Sequence, residues 1–78
     1  MNESLSETFR ENVMNILNQR GITKVQLSEM LGVHPSQVRV QMDRKGGHTL
    51  RTVERYAEVL NVSPLDLLRA RVLQEVER

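Results

Sequence analysis

The chain has 78 residues and no cysteine, so it is one small domain without disulfides, thiolate zinc sites or a cysteine nucleophile. With 38% apolar and 3% aromatic residues, and only roughly 60% of the unfolded surface buried at this size, the sequence predicts a compact, aliphatic core. The net charge of +1 conceals a division: Lys24, Arg39, Arg44, Lys45 and Arg51 face only Glu29 and Asp43 within residues 23–51, while both flanking segments are slightly acidic. No apolar run nears the ~20 residues of a membrane span, and residues 1–20 lack a secretory apolar segment, which predicts a cytoplasmic protein and no membrane partner.

The first segment reads as an amphipathic helix, with Phe9, Val13, Ile16 and Leu17 on one stripe. Ser4 and Glu7 form a candidate capping box at its start, and Gly21 supplies a left-handed stop. A second helix is capped by Thr23 with Gln26, carries Leu27, Met30 and Leu31 as its apolar face, and ends at Gly32 about two turns later. The third follows almost at once, with His34 at the cap, Pro35 in the first turn and a buried edge of Val38 and Met42. Arg44 to His48 is the one polar, glycine-paired loop. Thr49 caps a fourth helix that buries Leu50, Val53, Ala57 and Leu60 and stops at Asn61. A fifth opens at Ser63-Pro64, with Asp66 reaching back to its start. It buries Leu65 and Leu68, and its apolar pattern continues to the C-terminus. Nothing alternates with period two. The sequence predicts an all-α domain of five helices over residues 1–78.

Two short helices joined by a glycine turn describe a helix-turn-helix over about residues 23–43. Such a unit needs a small residue where the helices cross, here Ser28, and a second helix held by one thin edge so that its other face can enter a major groove. The run from Ile22 through Leu27, Ser28, Leu31, Gly32 and Val33, followed by Val38, resembles the helix-turn-helix of Cro/C1-type (XRE-like) DNA-binding repressors. The similarity continues through Leu50, Thr52, Val53, Ala57, Leu60, Val62 and the Leu67-Leu68 pair, roughly residues 9–69. It implies a five-helix lambda-repressor-like domain, no catalysis, and binding to an approximately palindromic double-stranded operator, usually as a homodimer. It also implies a bacterial or phage-encoded cytoplasmic protein, nucleoid-associated when bound. The chain departs from the family at Lys24, where Gln is common, at Gln41, where an apolar anchor is usual, and at Arg44, where glycine is usual. The second departure shifts the anchoring of helix three onto Met42.

By this resemblance Ser36, Gln37, Arg39 and Val40 face base edges: Gln37 suits adenine, Arg39 guanine or phosphate, and Val40 a thymine methyl. Lys24, His34, Arg44, Lys45, Thr49 and Arg51 are candidate phosphate contacts, with His48 beside them at the start of helix four. Two histidines without a third ligand at helical spacing make no metal site, and no phosphate loop or positioned nucleophile is present. The sequence therefore predicts no metal, no cofactor and no enzyme. The segment 64–78 offers Leu65, Leu68, Val72, Leu73 and Val76 as a dimerisation stripe, which could instead fold back on helix one near Leu5 and Met14. Two functions remain open. One is a sequence-specific transcriptional regulator, a phage- or plasmid-type repressor or an antitoxin with a toxin partner. The other is a protein-interaction module of the same fold, and the basic middle third favours the first.

Overall fold

A computed structural model describes residues 3–43 and 48–69, with side chains from residue 5 onward. These residues form five helices: α1 Glu3–Arg20, α2 Lys24–Leu31, α3 Pro35–Asp43, α4 Leu50–Leu60 and α5 Pro64–Leu68. No strand occurs among them. α2 packs on α3 and α4, and α5 packs on both α1 and α4.

Several helix ends follow from a local residue choice. Gly21 and Gly32 adopt φ of +68° and +74°, which an L side chain rarely tolerates. The amides beyond them close the turn backwards, Ile22 N–H to the Leu17 carbonyl and Val33 N–H to the Ser28 carbonyl. No atom lies within 4 Å of a methyl group built on Gly32, so its requirement is conformational and not one of space. Asn61 performs the same turn at φ 59°, with Val62 N–H donating to the Ala57 carbonyl. Complete capping boxes open α2 (Thr23 with Gln26) and α5 (Ser63 with Asp66). The Ser4–Glu7 box expected for α1 does not start that helix. Glu3 is already helical, so Ser4 lies one residue inside α1, and its side chain lies outside those described.

The core contains Phe9, Val13, Leu17, Leu27, Leu31, Val38, Met42, Val53, Ala57, Leu60 and Leu67, as well as Tyr56. It is largely aliphatic, but its centre is aromatic: Phe9 meets the Tyr56 ring edge-on at 5.3 Å and the tilted His48 imidazole at 5.0 Å. Three positions expected inside are not. Met30 is 44% exposed, Leu50 57% and Leu65 68%. In each case the helix phase is set by its cap and its deepest neighbours. Leu50 is the first residue after the Thr49 cap, still outside the turn that Val53 anchors. In α5 the Ser63 cap brings Leu67 inward and leaves Leu65 outside, with Leu68 half-buried.

α5 closes at Leu68, where Arg69 turns to an extended φ of −82° and ψ of 130°, so one continuous helix does not run from 64 to 78. Its carbonyl end is held from α1, where Asn12 Nδ2 donates to the carbonyls of Arg69 (2.8 Å) and Leu67 (2.9 Å). Val72, Leu73 and Val76 lie outside the described residues.

Candidate nucleic-acid interface

The α2–α3 junction is tight because Ser28 is completely buried and its hydroxyl donates to the Val25 carbonyl at 2.5 Å, which removes an unpaired polar atom from the crossing. Leu27 and Leu31 lie on one side of it and Val33 packs at the turn. α3 then touches the domain through Val38 and Met42 alone among its fully buried side chains. At about 100° per residue, Val40 points directly away from that edge, with Ser36 and Gln37 beside it and Arg39 and Gln41 on opposite flanks. Ser36, Gln37, Arg39 and Val40 are all exposed, and Val40 keeps 59% of its surface in water. Ser36, Gln37, Val40 and Gln41 line one shallow groove along the helix. The four base-contact candidates thus occupy one outward surface, with Arg39 at its margin.

At the start of α3 Pro35 has no amide hydrogen and the Gln37 amide donates to the His34 carbonyl at 2.9 Å, while Asp43 is exposed at the other end. His34 occupies the cap: its Nδ1 accepts from the Ser36 amide at 3.1 Å and lies 2.9 Å from the Ser36 hydroxyl. The ring is therefore engaged in capping, and the Ser36 hydroxyl is partly committed to it.

Lys24 is half-exposed at the first position of α2, and Arg51 is exposed near the start of α4. Thr49 caps α4 through the Thr52 amide at 3.2 Å and is itself exposed. Arg44 and Lys45 lie outside the described residues. His48 departs from expectation. It is 4% exposed, with Nε2 2.6 Å from the Gln41 carbonyl. A carbonyl only accepts, so Nε2 carries the proton, and this histidine is a core residue facing Phe9, not a phosphate ligand.

Sequence reasoning missed Tyr56, Arg55 and the second role of Gln41. The Tyr56 hydroxyl donates to Gln41 Oε1 at 2.5 Å, and Arg55 Nη2 donates to the Leu31 carbonyl, the last residue of α2, at 2.9 Å. Burial pushes the Tyr56 hydroxyl up to about 12, with the Arg55 charge opposing slightly. Tyr56 continues the Val53–Ala57–Leu60 face of α4 and was legible as a core position on that ground. The described residues contain no group of three or more His, Cys, Asp or Glu side chains that could hold a metal ion. No helix among them is long and apolar enough to cross a membrane.

Comparison with known proteins follows the same outline. No curated protein sequence matches the chain. The fold is similar to the crystal structure of a hypothetical transcription factor, NHTF, from Neisseria, with a TM-score of 0.83 and 18% identity over 100% of this chain and 91% of that one. The family model of the Cro/C1-type helix-turn-helix DNA-binding domain matches residues 12–71, which include all of α2 to α5 and α1 from Asn12 onward. By that match the chain belongs to the Cro/C1-type helix-turn-helix DNA-binding domain family.

Proposed function

We propose that this chain is a sequence-specific transcriptional regulator of the repressor kind, which inserts α3 into the major groove of double-stranded DNA. The observation that carries the reading is the division of α3: Val38 and Met42 are buried, while Ser36, Gln37, Arg39 and Val40 are all exposed. An exposed valine amid polar neighbours suits a thymine methyl, and Gln37 and Arg39 suit adenine and guanine edges. Lys24, His34, Thr49 and Arg51, together with Arg44 and Lys45 from the loop, would hold phosphates. Occupation of the groove is itself enough to exclude another protein from the same site, which is the simplest way for such a domain to repress. One recognition helix spans few base pairs, so two copies on half-sites about 34 Å apart are the natural unit, with Leu65 and Leu68 at their contact.

Selection of bound sequences from random duplex DNA, followed by titration at several salt concentrations, tests the reading. Arg39→Ala should cost about 1–3 kcal/mol of specific binding and relax preference at one position. Lys24→Ala or Arg51→Ala should weaken specific and non-specific DNA alike and lower the salt slope by about 1 for each contact removed. A chain with no salt-dependent DNA binding would instead be an interaction module that kept the fold.

A further inference from the structure

α3 rests on the domain along a single apolar line, Val38 to Met42. Apolar contact has no direction, so an edge of two side chains works as an axle about which the helix can roll. Gln41, on the flank toward α4, is the polar group that opposes such a roll. Its Oε1 accepts from the Tyr56 hydroxyl at 2.5 Å, and its backbone carbonyl lies 2.6 Å from His48 Nε2. Both partners belong to the part of the fold that follows the 44–47 link, so α3 is tied across to α4 and its lead-in. Tyr56 is 2% exposed and its ring is wedged edge-on against Phe9, which leaves the hydroxyl little freedom to follow a moving helix. Burial that pushes its pKa up to about 12 keeps it a donor at every physiological pH.

There is also somewhere for α3 to go. A cleft of about 70 Å³ lies beside the pair, bounded by Val33, Gln37, Thr52 and Arg55. It is far below the roughly 300–1,000 Å³ of a ligand pocket, but it leaves room between α3 and α4 into which a released flank can settle. Gln37 lines this cleft and also the outer groove, so a roll of α3 is felt at once by a candidate base-reading side chain.

We propose that Tyr56 is a positioning residue for sequence selectivity: its hydrogen bond to Gln41 fixes the roll of α3 about the Val38–Met42 edge, and so fixes which base-edge groups Gln37 and Arg39 meet. The inference rests on base reading by α3. Productive recognition tolerates misplacement of only about 0.5 Å or 10–20°, so a small roll changes the reading without unseating the helix.

The test compares the full chain with Tyr56→Phe, which deletes one oxygen and keeps the ring on Phe9. Both are taken through selection from random duplex DNA, and affinities for the wild-type site and for a non-specific duplex are measured below the melting transition of both chains. Tyr56→Phe should hold non-specific affinity within about twofold, while its specific-to-non-specific ratio falls at least about fivefold or the preferred base changes at one or two positions. A purely stabilising role moves the melting temperature and leaves ratio and preference alone, and that result overturns the proposal. A wild-type chain without any preferred sequence refutes base reading itself. A selective wild type with an identically selective Tyr56→Phe refutes only the positioning role.

Discussion

Asn12 offers the sharpest test of how the small domain is held together. Its Nδ2 reaches three carbonyls at the end of α5, those of Arg69 at 2.8 Å, Leu67 at 2.9 Å and Asp66 at 3.3 Å. An amide nitrogen carries two hydrogens, so the first two are full bonds and the third is a shared contact. α5 has five residues, too few to persist alone, and its last carbonyls have no partner within the helix. Asn12→Ala removes both bonds, each worth about 0.5–1.5 kcal/mol net, and strands the Leu67 carbonyl beside a buried position at a further penalty, for a total of about 2–4 kcal/mol. A domain of this size has roughly 4–12 kcal/mol of stability, so the melting temperature should fall by about 10–25 °C. Asn12→Asp is the more discriminating change. A carboxylate only accepts and would face carbonyl oxygens, so at pH 7 it should destabilise more than alanine. At pH 4 protonation restores one donor and part of the loss returns. Urea and thermal unfolding followed by circular dichroism, with wild type at each pH, measure both effects. A loss below about 0.5 kcal/mol for alanine, or an aspartate variant that tracks alanine at both pH values, would refute the reasoning.

Tyr56 should make the fold sensitive to alkali. Its pKa is about 12 in the folded chain and about 10 unfolded, so between those values the folded state keeps a proton that the unfolded state has lost, and stability present below pH 10 is lost as pH rises through 12. After screening by water in the adjacent cleft, wild type should lose about 1–2 kcal/mol more than Tyr56→Phe between pH 9 and pH 12, and parallel profiles would contradict the burial argument. Leu65, 68% exposed on α5, should report pairing of two copies. Sedimentation equilibrium at high micromolar concentration should find the full chain dimeric and Leu65→Glu monomeric, whereas a monomeric wild type would confine any pairing to DNA.

The fold was legible because its punctuation is local. Thr23, Gly32, Thr49, Asn61 and Ser63 act on backbone within a few residues of themselves, and each sits where its chemistry places it. The inward face of α3 was legible for a similar reason, since Val38 and Met42 are its apolar pair at helical spacing. What could not be read were pairings across the fold. His48 looks like a basic loop residue until the Gln41 carbonyl and the Phe9 ring are brought to it. Gln41 looks like a weakened anchor until Tyr56 supplies a donor, which turns a missing apolar contact into a directional one. Leu65 and Leu67 are equally apolar, and only the docking of α5 against α1 and α4 decides which of them turns inward.

Arginine shows most plainly why counting charge gives only part of the answer. Arg55 donates to the Leu31 carbonyl at the end of α2, and Arg20 donates to the Leu60 carbonyl at the end of α4 at 2.6 Å. Arg10 reaches the Met42 carbonyl near the end of α3 with a longer contact of 3.4 Å. Each places a cation where carbonyls lack a helical partner and the helix dipole is negative. With Asn12 on α5, α1 alone reaches the carbonyl ends of three other helices, and Arg55 from α4 closes the fourth. These guanidiniums are engaged by the protein's own carbonyls, although Arg20 and Arg55 remain exposed. Lys24, Arg39 and Arg51 make no ion pair with a carboxylate among the described residues, and all three belong to the basic middle third of the sequence. The near-neutral charge of the whole chain therefore averages over a basic middle third and two slightly acidic flanks. The carbonyl ends are thus met by side chains of the protein itself, whereas Ser36 and Gln37 at the start of α3 keep their side chains exposed.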